Sequence, residues 1–447
     1  MPTLITPADA GYDDARRVWN ARFDRRPAAI ARCVDVAEVQ GALEFARQRS
    51  WPVAVRSGGH DYAGHSVCDD GLVIDLSGMN VVDVDAVRQI ARVRPGARWA
   101  DVDAATQAFG LATTGGTVST VGVAGYILGG GTGHLVRKYG LGLDNLVGAE
   151  VVTANGEVLR ADEREHADLF WALRGGSGNF GIVTAFELRL HPLGTQVLAG
   201  QILHRLADAP AVLRAWRNFM ADAPDEVQCY AFFFRIPPVP AFPESLHNEV
   251  ALDLVVTYAG DLVAGERVLA PLRALGTPVL DTTAPAPYVA LQGAFDAGMV
   301  AGNRWYSRAH YLRELNDAAI ETIVSRSATL PGEFTLVYLE PFGGAVARVP
   351  PDATAFPHRE APMAIHIFPG WIDRAEDTRI MEWTQTFHEA LRPQATGGTY
   401  VNLLAGDEQD RPRAAYGANY ERLSELKRRY DPDNRFRSNH NISPAIE

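Results

Sequence analysis

Residues 52–66 read PVAVRSGGHDYAGHS. The first five, Pro52 to Arg56, are rich in β-branched residues and predict a strand. It runs without a linker into Ser57, Gly58, Gly59, His60 and Asp61. Glycines directly after a strand let the backbone approach a ligand and turn N–H groups toward anionic oxygen. Taken alone, the same residues also describe a tight turn with a surface histidine. The neighbouring sequence separates these two readings.

Upstream, PAAIARCV (27–34) reads as a strand, and residues 35–49 as a helix. Val36, Val39, Leu43 and Ala46 recur at helical spacing behind Asp35 as N-cap. Downstream, GLVIDLS (71–77) is another buried strand. VGAEVVTANGEVLR (147–160) predicts a hairpin turning at Asn155-Gly156. GIVTAFELRLHPL (181–193) alternates Phe186, Leu188 and Leu190 inward with Glu187, Arg189 and His191 outward.

A second glycine-rich stretch, Thr106 to Val136, holds nine glycines and no Asp, Glu, Lys or Arg. It has the length of a membrane span, but glycine and threonine make a poor lipid-facing helix. It reads as a buried loop system whose backbone groups need partners. Each glycine costs stability relative to alanine, so a merely dense core explains Gly115, Gly116, Gly122, Gly125, Gly129, Gly130, Gly131 and Gly133 poorly. Two glycine-rich loops without a Walker lysine suggest a long cofactor lying across exposed backbone. A third run, Gly176 to Gly181, matches the dinucleotide pattern GxGxxG. Such a loop leaves a strand and opens a helix. Here DLFWAL (168–173) before it is helical and the segment after it is a strand, so the order is reversed.

The texture changes near Pro192. Residues 196–395 lose the glycine motifs; NEVALDLVVTYAG (248–260) and EFTLVYLEPFGG (333–344) predict strands, 261–274 and 315–330 helices. This is a second unit with a large antiparallel sheet. The tail resumes helix from Ala418 to Tyr430 and ends in polar DPDNRFRSNHNISP.

The 447 residues suggest about three domains at roughly 150 residues each, and fit two large ones equally. With 47% hydrophobic and 21% charged residues, the chain is neither disordered nor fibrous. Acids outnumber bases 54 to 42, which argues against nucleic acid and anionic membrane as partners. Cys33, Cys68 and Cys229 are scattered, with no CxxC or metal spacing, so no metal site is expected and a reducing, cytoplasmic location is. The N-terminus has early acids and no apolar run, unlike a signal peptide.

These motifs resemble, in order and over nearly the whole chain, the berberine-bridge-enzyme branch of the FAD-linked oxidases. The matching runs are RSGGHDYAGHS (56–66), GLVIDLSGMN (71–80), TVGVAGYILGGGTG (120–133), RKYGLGLDNLVGAEVVTANGE (137–157), LFWALRGGSGNFGIVT (169–184), FPHR (356–359), YVN (400–402) and YDPDNRFRSNHNI (430–442). The resemblance implies an α+β fold of two domains. An FAD-binding domain of the p-cresol-methylhydroxylase type spans 1–195 and is completed by 405–447. A substrate domain, 196–404, is built on a large antiparallel sheet.

The resemblance also implies roles. His60 would carry an 8α-histidyl bond to FAD. Relatives with a second link have a cysteine where this chain has Val118, so a link at His60 only is expected. Arg56 to Asp61, Gly115, Thr120, Val121, Gly122 to Gly133 and His134 would cradle the pyrophosphate and flavin. Gly181, Ile182 and Val183 would line the adenine side. Asn439 and Asn441 match a closing motif in which His440 replaces glutamine. Tyr400 would act as general base with Asn402 beside it, and needs either a lowered pKa, from a neighbouring cation or the flavin edge, or a concerted transfer. Tyr126 would lie near flavin and substrate. His366 stands where some relatives carry a catalytic glutamate or a glutamine.

The expected activity is hydride removal from a hydroxylated or amine carbon of a small molecule or sugar, with O2 reduced to hydrogen peroxide. Val121 and its small neighbours look permissive for O2. The alternatives are a dehydrogenase with another acceptor, or a flavin-binding scaffold without turnover; intact His60, Tyr400 and Asn439 argue against the latter. Substrate and oligomeric state are not read from these motifs.

Overall fold

The computed structural model describes residues 2–408 and 411–446. The helix expected over 35–49 forms at Val36–Gln48, and its start shows why. The Asp35 carboxylate accepts the Glu38 N–H at 2.8 Å, and Glu38 reaches back to the Val34 N–H at 3.0 Å. That reciprocal cap satisfies donors the first turn leaves free. Val39, Ala42, Leu43 and Ala46 are then buried together.

Among the described residues, three sheets carry the architecture. A four-stranded sheet runs Thr3–Ile5, Ala29–Arg32, Leu72–Asp75, Val53–Arg56. Its last three strands are parallel. A five-stranded antiparallel sheet runs Val82–Asp85, Ile90–Val93, Ile182–Arg189, Leu146–Val152, Val158–Ala161. Its hairpin turns at Asn155-Gly156, with Gly156 at φ 87°. Phe186, Leu188 and Leu190 point into one core with Trp99, Phe170 and Leu423.

The third sheet has eight strands and is antiparallel. Its centre runs Gln196–Arg205, Val250–Tyr258, Val227–Arg235, Leu336–Pro341, Met363–Phe368, Arg308–Leu312. Strand periodicity divides its side chains between two faces. Cys229, Ala231, Phe233, Val337, Leu339, Ile365 and Ile367 share a core with helices Ala209–Asp222, Leu262–Arg273, Asp317–Ser327 and Asp377–Leu391. Tyr230, Phe232, Leu336, Tyr338, Glu340 and Phe368 lie on the opposite face, toward the glycine loops. No described helix is long and apolar enough to cross a membrane.

Two expectations need correction. The run Thr106–Val136 is not loop throughout: Val123–Gly129 is a helix, because VAGYIL buries Val123, Ala124, Ile127 and Leu128 at helical spacing. The last helix begins at Tyr420 rather than Ala418, after a single 3₁₀ turn at Gly417–Asn419. The tail behind it is polar in composition yet tied down. Lys427, fully buried, donates to Asp431 Oδ2 (2.7 Å) and to the carbonyls of Asn179 and Phe436 (both 2.8 Å). This one ammonium joins the last helix to the GSGNFG turn and to the tail. Lys427→Met should therefore lower stability by about 3 kcal/mol, since it leaves a buried carboxylate and two carbonyls unpaired. A urea-midpoint comparison with the parent checks it.

Candidate active site

The three parallel strands deliver their C-terminal ends to one side, where open α/β sheets bind ligands. Arg56 and Asp75 are register partners on adjacent strands. Their side chains pair at 2.8 Å, both buried, and pin the point at which the chain leaves the sheet. Arg56 thus supports the loop and does not line the cavity beyond it.

That cavity, about 340 Å³, lies between the glycine loops and the aromatic face of the large sheet. The volume falls within the roughly 300–1,000 Å³ of small-molecule and cofactor sites. Ser57, Gly58, Gly59, His60 and Asp61 line it from the first loop. Val121, Gly122, Gly125 and Tyr126 line it from the second, and Gly181, Ile182 and Val183 from the third. Tyr400, Asn402 and Asn439 complete the wall. The structure thus brings together segments more than 300 residues apart.

Gly58 and Gly122 meet backbone to backbone. A Cβ on either would fall inside contact distance of the other's amide nitrogen. Asp61 folds the next turn by accepting the N–H groups of Ala63 (3.0 Å) and His65 (2.8 Å). Burial alone would raise Asp61, but the charge and hydrogen bonding of His65, then His440, hold it well below the usual carboxylate range. Ligand atoms of Asp61, His65 and His440 lie within 4.8 Å of one another, although no metal spacing was apparent in the sequence.

His60 is held on two sides. Its ring stacks on Trp19 at 4.7 Å, and Trp19 stacks on Trp305 at 4.9 Å. Its Nε2 lies 3.1 Å from Thr120 Oγ1. Burial first, then the charge of Arg98, lowers its pKa to about 3, so the imidazole is neutral. Thr120 therefore braces His60 and does not line the cavity.

Tyr400 sits where the second glycine loop turns. Its phenolic oxygen accepts the Gly131 N–H (2.7 Å) and the Asn402 Nδ2–H (3.0 Å). Gly131, at φ 93°, takes a backbone conformation that side-chained residues avoid, and so aims this N–H. Of the two routes open to Tyr400, a lowered pKa is not found. Burial raises it, the two donors pull it partly back, and Glu340 adds to the rise. Among the described residues no Lys or Arg lines the cavity to supply a cation. Tyr126 also lines the wall, with its hydroxyl committed to the Thr132 carbonyl at 2.9 Å.

Other expected contacts fall behind the wall. Gly115 packs on Trp99 and Gln292, and Gly133 against the Gly115 carbonyl. Gly129 and Gly130 back onto Asn402 and Tyr400, as Gly131 does onto Tyr126. His134 bonds Thr257 Oγ1 at 3.1 Å behind Tyr230. Asn441 is absent from the lining, although its buried Oδ1 has no partner.

His366 is corrected more sharply. It faces the cavity side of its strand but does not line the cavity. Its register partner Tyr338 lies over its ring, 4.4 Å between centroids. Its Nε2 instead pairs with Glu340 Oε2 at 3.0 Å, with both side chains 1% exposed. Glu340 is the residue that lines the cavity, and the sequence reading missed it. Its signal was present: one carboxylate inside the apolar strand LVYLEP.

The cavity fits the FAD that the resemblance implied. Backbone at Gly58 and Gly122 can approach a diphosphate that no lining Lys or Arg serves. Buried Ser66 Oγ and Asn439 Oδ1 on its lining have no partner among the described residues. Comparison with known proteins agrees. The family described as FAD binding domain matches residues 27–162, and that described as berberine and berberine like matches 399–443. (R)-6-hydroxynicotine oxidase of Paenarthrobacter nicotinovorans is 33% identical, over 99% of this chain and 96% of its own. An FAD-linked oxidoreductase of Bacillus subtilis is 31% identical, over 99% and 96%. The crystal structure of 6-hydroxy-D-nicotine oxidase from Arthrobacter nicotinovorans superposes with TM-score 0.89 at 30% identity, covering 100% of this chain and 98% of the other.

Gly58→Ala should abolish flavin uptake without unfolding the chain, because the clash is with backbone that has nowhere to move. Visible absorbance per protein should fall about tenfold or more while far-UV circular dichroism stays at the parent value.

Proposed function

The chain belongs to the berberine-like FAD-linked oxidoreductases, and on that premise we propose that it is an oxidase of small molecules with FAD tethered at His60 alone and Tyr400 handling the substrate proton. FAD, when bound, supplies the two-electron acceptor for a hydride from a hydroxylated or amine carbon and passes the pair to O2, giving hydrogen peroxide. Residues 1–195 with 405–447 hold the cofactor, and 196–404 supply the substrate face.

The observation that carries this reading is the bonding of Tyr400. Its oxygen accepts two hydrogen bonds, and its own proton has no acceptor among the described residues. Both donors remain in place when that proton leaves, so they stabilise the phenolate more than the phenol. Burial nevertheless keeps the phenol protonated until it is used. Tyr400 therefore hands its own proton to water as it takes the substrate's, in one step with hydride loss and with no free phenolate before it. Tyr126, committed to a carbonyl, positions and does not exchange protons.

The single tether is supported at both ends. A neutral imidazole is nucleophilic, and the Trp19 stack and Thr120 fix the plane of His60. The thiols Cys33, Cys68 and Cys229 are buried and none lines the cavity. Burial pushes Cys33 up to about 12 and Cys68 to about 11, so neither is a thiolate. Unpaired cysteines also fit a cytoplasmic setting.

Acid precipitation should leave yellow flavin in the pellet of the parent and release it to the supernatant in His60→Ala. Flavin in the parent supernatant would end the tether reading. A His60 pKa depressed to about 3 means the ring does not gain a proton between pH 5 and 8. Attachment to apoprotein, followed by pelletable flavin, should therefore proceed equally across that window. Tyr400→Phe should keep full flavin content and lose about 10²-fold or more in flavin reduction rate, read by stopped flow with a turned-over substrate.

A further inference from the structure

Glu340 occupies an unusual position for a carboxylate. Its side chain is 1% exposed, yet it lines the cavity. One oxygen is paired with His366 Nε2, and the other, Oε1, has no partner among the described residues. His366 Nδ1 is equally unpartnered. A buried carboxylate with one oxygen unpartnered is costly unless a positive group or a donor arrives.

What surrounds it is aromatic. Tyr230, Phe232, Phe295 and Tyr338 form one cluster beside Glu340 on the cavity wall. Phe232 lies 4.8 Å from Tyr338 and 5.1 Å from Phe295, centroid to centroid. Aromatic faces attract cations, most strongly where water is excluded. The polar groups on this wall are the phenols of Tyr230 and Tyr338 and the Glu340 carboxylate. Asn402, the lining amide beside Tyr400, already serves the Tyr126 carbonyl and Tyr400. Asp61, the second lining acid, is held by its own turn through Oδ1 and sits beside His65, on the first glycine loop, whereas Glu340 stands among the aromatic rings.

We infer that the substrate is a cationic, aromatic or alicyclic amine whose positive nitrogen is bound by Glu340 Oε1 inside the Tyr230, Phe232, Phe295 and Tyr338 cluster. This rests on the reading that the cavity holds a flavin and a small-molecule substrate. Glu340 and Tyr400 line the same cavity, so an amine held at Glu340 shares it with the proton-handling tyrosine. His366 is then a positioning residue that keeps one Glu340 oxygen fixed and the other free.

Isothermal titration of the holoenzyme near pH 7 tests this by heat, not turnover. The probes are N-methylbenzylamine, its neutral isostere benzyl methyl ether, and cellobiose, each to about 10 mM. The amine should bind about tenfold or more tightly than the ether, and cellobiose more weakly still. Glu340→Gln keeps the shape and removes the charge, and should abolish the amine's advantage with ether affinity unchanged. Glu340→Asp should restore part of it. Flavin absorbance and melting temperature of each variant report folding and loading. Equal binding of amine and ether by the parent, a preference surviving in Glu340→Gln, tighter cellobiose, or no heat with the amine would each overturn the inference. A preparation that takes up no FAD would instead overturn the oxidase reading, while the heats still report on Glu340.

Discussion

The cavity depends on a contact in which two backbones touch with nothing between them. Gly58 closes the loop after the parallel strands, and Gly122 caps the short helix Val123–Gly129. Because neither has a Cβ, the two loops share one surface of peptide groups, and glycine alone permits this approach. Everything placed on those loops inherits its position from the contact. Thr120, two residues before Gly122, reaches His60, two residues after Gly58. Tyr126, four residues on, comes to face the large sheet. The Arg56–Asp75 pair fixes the same loop from behind, so its origin and its tip are both set.

The electrostatics of the site follow from burial with few charges. Burial keeps His60 neutral and Tyr400 protonated, opposite kinds of group pushed toward their uncharged forms by the same desolvation. Reactivity then has to come from hydrogen bonds aimed at particular atoms. At Tyr400 these are one backbone and one side-chain donor. At Glu340 one oxygen is bonded and one is left open. A cavity without lining Lys or Arg places the burden of binding an anionic cofactor on peptide N–H groups.

Much of the cofactor side could be read before the fold was known. Glycine runs after strands, a helix–turn–strand order that excluded a Rossmann loop, and the Asn155-Gly156 hairpin are local signals, and they formed as read. His60, Tyr400 and Asn402 all reached one cavity. The residues that fall off the lining have a common cause. Gly115, Gly133, His134 and His366 were assigned through the resemblance, whereas lining depends on which ring lies in front. Tyr338 covers His366, and Tyr230 stands before His134. Glu340 was passed over because a lone acid in a strand gives no motif, though its apolar setting was a signal.

The sequence by itself determined the strands, the helix caps and the two glycine loops, while the cofactor class came from the resemblance. Those features arise from neighbours within a few residues, through backbone freedom, capping and periodicity. Only the tertiary structure decided that Glu340 faces the cavity with one oxygen free, that His366 stands behind it, and that Tyr400 accepts a bond from a loop 269 residues away. Each of these depends on strand register and on the docking of one sheet face against distant loops. Neither is specified until side chains from both units compete for the same buried space.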